Sequence, residues 1–151
     1  MAFNYKTLDF EIIKEPWNKY EIIDGSILKT RFILKKVVVQ PLGKNKSTFQ
    51  IDGQTVTTIF GSPELKGTPS TQAYSNQELK NSITQDGLGY NTLGEEWNEY
   101  ILEDATKIRV KTTVTKISRT NKYEKTGDPL YFVTTSIIMQ VTKPKKYNPP
   151  K

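Results

Sequence analysis

The stretch "EPWNKYEIIDG" at residues 15–25 recurs in altered form as "EEWNEYILEDA" at residues 95–105, and this recurrence constrains the fold more than any other feature. At an offset of 80, Glu15, Trp17, Asn18, Tyr20, Asp24 and Lys36 meet Glu95, Trp97, Asn98, Tyr100, Asp104 and Lys116. Upstream, Leu8, Phe10 and Ile13 meet Leu88, Tyr90 and Leu93 in kind. Downstream, one inserted residue moves the offset to 81, and Val56, Phe60 and Pro63 then meet Ile137, Val141 and Pro144. Two tandem, sequence-related units are therefore expected at 7–66 and 87–147. A linker spans 67–86, and a basic, proline-rich tail end covers 148–151. A unit of about 60 residues buries too small a fraction of its surface to be robust alone. The two units are accordingly expected to pack as one compact body with pseudo-twofold symmetry, as a small barrel or sandwich.

Each unit reads as β structure, so the expected fold class is mainly β with one short helix in the linker. In "SILKTRFILKKVVV", Leu28, Thr30, Phe32 and Leu34 alternate with Lys29, Arg31, Ile33 and Lys35, the period of a half-buried strand. The second copy alternates in the same way, with Ile108, Val110, Thr112 and Val114 inward and Arg109, Lys111, Thr113 and Thr115 outward. The pattern then slips by one at Ile117, which predicts a β-bulge near Thr115-Lys116. "YFVTTSIIMQV" at 131–141 is rich in β-branched residues and reads as a further strand.

Asp24-Gly25 and Asp52-Gly53 lie between apolar-rich runs and predict hairpin turns. Asp104-Ala105 occupies the first of these positions without glycine, so a different turn type is expected there. Longer hairpin loops are expected at Pro41–Ser47 and at Thr126–Pro129. In the linker, Ser75-x-x-Glu78 has the form of a capping box and predicts a helix over about 76–83.

Composition narrows the chemistry. The chain of 151 residues has no cysteine and no histidine, which removes disulfides, thiolate metal sites and the usual general base near neutral pH. No dense Asp/Asn/Glu loop, phosphate-binding loop or dinucleotide fingerprint is present. Asp24 and Asp104 form a tempting carboxylate pair, but neither is followed by the Ser/Thr-Gly of an aspartic protease, and both read as turn formers. No catalytic residue, metal ligand or cofactor is expected. The longest aliphatic run, Val37-Val38-Val39, is far too short to cross a membrane, and no leader is legible. Cytoplasmic residence is the expectation.

The net charge of +6 is uneven, with residues 61–100 acidic and residues 101–151 holding eleven Lys/Arg against four Asp/Glu. Lys29, Arg31 and Lys35 in the first unit, with Lys107, Arg109 and Lys111 in the second, form basic strand faces suited to an anionic macromolecule, DNA or RNA first. Trp17, Tyr20, Trp97 and Tyr100 are the aromatic candidates. They would serve as stacking platforms in a binding role, and the sequence favours the core for them, each Trp plugging its own unit. The functional expectation is a non-enzymatic binding protein. Its alternative is an assembly subunit that meets a protein partner or its own copies through strand edges and exposed aromatics.

Overall fold

The structure is a computed structural model and describes residues 4–43 and 47–144, so the tail end at 148–151 lies outside the described residues. The chain is mainly β and forms two five-stranded sheets. The strands are β1 (Lys6–Leu8), β2 (Phe10–Lys14), β3 (Asn18–Ile22), β4 (Ile27–Pro41) and β5 (Ser47–Phe60), then β6 (Ile83–Gln85), β7 (Tyr90–Gly94), β8 (Asn98–Leu102), β9 (Lys107–Tyr123) and β10 (Pro129–Thr142).

In the first sheet the long strand β4 pairs with β5 along one side and with β3 and β1 on the other, while β7 extends the sheet beyond β3. In the second, β9 pairs with β10 along one side and with β8 and β6 on the other, while β2 extends the sheet beyond β8. All these pairings are antiparallel. Thus β2, from the first half of the chain, completes the sheet of the second half, and β7 does the reverse.

The inward residues of β4 and β9 take part in two apolar clusters that join the sheets. One apolar cluster joins Phe32, Leu34 and Val37 of the first sheet to Tyr100, Ile108 and Val110 of the second. The other joins Tyr20, Ile22 and Leu28 to Val114, Ile117 and Tyr131. Burying such side chains stabilises by about 1.5–3 kcal/mol each. Both sheets contribute to both clusters, so neither core is complete without the other sheet.

The expected bulge is present, since Lys116 pairs with Thr134 and Val114 with Thr135, leaving Thr115 out of register. β4 breaks register at the corresponding place, between Leu34 and Lys36, which the sequence reading did not anticipate. These pairings also set Arg31 opposite Val56 and Lys111 opposite Ile138.

Asp52-Gly53 is not a turn. It lies inside β5, where a side chain at Gly53 would fall on the ring of Phe32. A glycine between apolar-rich runs marks a close approach as readily as a hairpin, and here the approach prevails. A hairpin loop does occur where β9 leads into β10. β4 and β5 pair as far as Pro41 and Ser47, and residues 44–46 of the loop expected there lie outside the described residues. In the linker, α1 (Asn76–Asn81) carries the complete Ser75–Glu78 capping box. The same segment also supplies β6, which pairs with β9 although the linker was expected to contribute only a helix.

The turn at Asp104-Ala105 does not differ from its counterpart. Ala105 takes φ 70° where Gly25 takes 89°. The Ile22–Ser26 and Leu102–Thr106 backbone bonds are both 2.8 Å. The aspartates explain why alanine is tolerated: Asp24 Oδ1 accepts from Ser26 N–H at 2.9 Å and Asp104 Oδ1 from Thr106 N–H at 3.0 Å.

Candidate functional site

The repeated motif proves to be a set of ties between the sheets, with its tryptophans outermost. Asn18 donates to the Thr112 carbonyl of β9 at 3.3 Å, and Asn98 donates to the Phe32 carbonyl of β4 at 2.8 Å. The Tyr20 hydroxyl donates to Glu95 at 2.6 Å, and the Tyr100 hydroxyl to Glu15 at 2.7 Å. Burial, and then the carboxylate that each phenol faces, pushes the pKa of both tyrosines well above the usual phenol range. Each copy of the motif thus bonds the other half of the chain. The sequence reading gave Glu15 and Glu95 no role; their repetition at the same offset was the signal.

Tyr20 and Tyr100 lie in the core as expected, with exposures of 0% and 1%. The tryptophans do not plug a core. Trp17 is 44% exposed and Trp97 is half-buried. The physical reason lies in the alternation from Asn18 to Tyr20. Once asparagine and tyrosine turn inward to make their bonds, the residue before the asparagine must turn outward.

That outward turn sets each indole against the basic row of the neighbouring strand. The Arg31 guanidinium lies 5.8 Å from the Trp17 ring centre. Arg109 lies 4.5 Å and Lys111 5.7 Å from that of Trp97. Lys29 sits 5.4 Å from the ring of Phe60, an aromatic that is 55% exposed and that sequence reasoning left out of the site. Such cation–π contacts contribute about 0.5–1 kcal/mol at exposed sites, and they hold the cations extended over the sheet.

Carboxylates temper the charge. Arg31 pairs with Glu15 at 3.5 Å, Lys111 with Glu95 at 3.4 Å and Arg109 with Glu99 at 3.5 Å. Glu15 is itself fixed from below by Tyr100 and by the N–H of Leu34. The cations are partly exposed even where, as at Glu15, the carboxylate is buried, so solvent screens these pairs and they add little to stability. Their effect is to orient the guanidinium and ammonium groups.

The six basic candidates are not one continuous stripe. Lys29 and Arg31 share the outward face of β4 with Trp17 and Phe60, while Arg109 and Lys111 share that of β9 with Trp97. Lys35 falls at the β4 bulge, set apart from the other two, and Lys107 stands exposed at the start of β9. The two basic groups therefore belong to different sheets.

A second polar cluster went unnoticed in the sequence. Asp24, only 7% exposed, accepts from Arg119 at 3.0 Å and from the Tyr131 hydroxyl at 2.6 Å. Burial opposes ionisation of Asp24, but the bonds from Tyr131, Ser26 and Arg119 outweigh it and hold the carboxyl below its usual range. Ser26 bonds the Tyr131 hydroxyl at 3.0 Å and accepts from Ser62 N–H at 3.0 Å. This arrangement is a structural latch between the two halves.

Among the described residues, no cluster of three or more acidic side chains is placed to hold a metal ion, and no helix is long and apolar enough to cross a membrane. No family model, curated protein or solved structure matches the chain at a significant level.

Proposed function

We propose that this chain is a non-enzymatic binding protein whose outward aromatic–cationic sheet faces hold nucleic acid, single-stranded in preference to duplex. The observation that carries this reading is the pairing of exposed rings with cations on one face: Trp17 with Arg31 and Phe60 with Lys29. Unstacked bases lie flat on such rings, while the guanidinium and ammonium groups meet phosphate oxygens. A duplex offers no free base face, which favours the single strand. The Trp97–Arg109–Lys111 group gives the second sheet a related surface.

The same proposal includes a duplicated architecture with pseudo-twofold symmetry. Its support is that β3 pairs with β4 and β7 while β8 pairs with β9 and β2, and that the Asn, Tyr and Glu bonds of the two motifs are reciprocal. One consequence is that the two binding faces are copies of one ancestral face. The assembly reading has its own support in the apolar edge of β10, taken up below.

The test is a binding titration of labelled oligodeoxythymidylate at low salt. The comparison is between the wild type and a variant carrying Lys29→Gln, Arg31→Gln, Arg109→Gln and Lys111→Gln. The wild type should bind with log K falling by about 0.7 per contacted phosphate per decade of salt. The variant should lose most of that affinity and slope while keeping the wild-type circular dichroism. Failure of the wild type to bind at low salt rejects the proposal.

A further inference from the structure

Among the described residues, β10 is hydrogen bonded to β9 and to no other strand. Its fourteen residues, "PLYFVTTSIIMQVT", include no charged side chain and no proline after the first position. β5, the comparable outer strand of the first sheet, carries Asp52 and Gly53 near its middle, beside a break in register. Outer strands usually carry a charge, a proline or a bulge that discourages pairing with another chain. β5 has such features, and the second half of β10 has none.

The first half of β10 is covered, with Pro129 and Tyr131 buried and α1 packed beside the strand. From Ser136 to Thr142 every residue is exposed, including Ile137 at 45%, Ile138 at 49%, Met139 at 36% and Val141 at 36%. Successive side chains point to opposite faces, so Ile137, Met139 and Val141 lie on one side and Ile138 on the other. A helix laid on the sheet would cover one face and leave the backbone edge open. A partner strand extends both faces and satisfies the edge.

We infer that residues 136–142 pair antiparallel with the same segment of a second copy of this chain. The segment is self-complementary. A twofold axis through Met139 sets Ile137 opposite the second copy's Val141 on one face, with Met139 meeting Met139 between them. No charge on the strand opposes the approach. Lys143 follows the segment directly and, in this pairing, falls beyond its end, opposite the second copy's Thr135. One strand back on β9 lie Lys107, Arg109 and Lys111, with Arg109 held by Glu99 and by Gln140 at 3.3 Å and Lys111 by Glu95. The axis of an antiparallel pair stands perpendicular to the sheet. The Trp97, Arg109 and Lys111 groups of both copies therefore end on the same side. That doubling of a binding surface rests on the function proposed above, but the strand pairing does not.

The experiment is sedimentation velocity on the full chain without nucleic acid, over a wide concentration range. It is accompanied by amide hydrogen exchange at the lowest and highest concentrations. The wild type should show a monomer–dimer equilibrium, with concentration-dependent protection confined to 136–142. Ile138→Lys and, separately, Ile137→Lys should each weaken the dimer by roughly tenfold or more. A wild type that stays monomeric overturns the inference. So does a dimer that protects another segment, including one in which a different stretch of chain covers β10. A dimer that forms while oligonucleotide binding is absent would retain this inference and remove the functional one.

Discussion

The turn at Asp24-Gly25 and the turn at Asp104-Ala105 share one backbone but have different surroundings. Around Asp24 the carboxylate is buried beneath Tyr131 and Arg119, and Ser26 links the turn to Ser62. Around Asp104 the carboxylate is exposed, and Thr106 lines a cavity of about 120 Å³ with Val39, Phe49 and Pro144. The register explains the contrast: Val39 pairs with Phe49 where Arg119 pairs with Tyr131. An aliphatic–aromatic pair at one turn thus stands where a cation and a phenol stand at the other. The turn takes the same form at both places because it needs only its own residues. The chemistry around it depends on strands distant in sequence and differs between the two.

The largest expected effect breaks this comparison directly. Asp24→Asn removes the charge that Arg119 and Tyr131 share and should cost about 2–4 kcal/mol in urea unfolding. Asp104→Asn keeps an acceptor for Thr106 and should cost less than about 1 kcal/mol. The pH dependence sharpens the test. The Asp24 carboxyl titrates lower in the folded chain than in the unfolded chain. Its contribution is therefore complete above about pH 4 and is lost as pH falls through the folded value. Thermal unfolding of Asp24→Asn should show a shallower acid limb than the wild type.

The next effect tests the reciprocity of the two motifs. Tyr20→Phe removes the bond to Glu95, whereas Tyr100→Phe removes the bond to Glu15 and the one accepted from Asn98 at 2.9 Å. Each should destabilise by about 1.5–3 kcal/mol in urea unfolding, Tyr100→Phe by the larger amount. A negligible loss in either variant would mean that its tie does not hold the two halves. Both phenols have folded pKa values raised by burial and by Glu95 or Glu15, and burial with Asp24 raises that of Tyr131. Their contribution is whole below about pH 10 and is lost as pH rises further towards the folded values. Stability should fall above pH 10, less steeply in each Phe variant.

The smallest effect is at the turns. Ala105 holds a positive φ that disfavours a β-carbon. Ala105→Gly should stabilise by less than about 1 kcal/mol, because relief of strain is partly offset by the greater freedom of the unfolded chain. Gly25→Ala should destabilise by about 1 kcal/mol. Differential scanning calorimetry resolves both.

What was legible in the sequence follows the same division. The alternation of Leu28, Thr30, Phe32 and Leu34 and the slip at Ile117 are local patterns, and the strand face and bulge appear where they pointed. The capping box depends on residues three apart and was equally legible. Asp52-Gly53 was misread because the pair suits a turn and a close approach alike, and only the ring of Phe32 decides between them. The outward position of Trp17 depends on Asn18 reaching a carbonyl of β9 in the other half of the chain. The placement of β2 beside β8, and of β7 beside β3, was also out of reach. These five-residue strands carry no local mark of which sheet they join. Of the candidate site, the cations were legible and the repetition of Glu15 and Glu95 was a signal left unused, whereas Phe60 carried no local mark.

The central claim is that the outward faces grip bases and phosphates together, and tryptophan fluorescence reports it from inside each face. Trp97→Phe leaves Trp17 as the single reporter, and Trp17→Phe leaves Trp97. Titration with single-stranded oligodeoxythymidylate at low salt should quench both, Trp17 more deeply because it is the more exposed, and added salt should reverse the quenching. An unchanged emission in both variants, at a salt concentration where other phosphate-binding proteins saturate, would contradict the account.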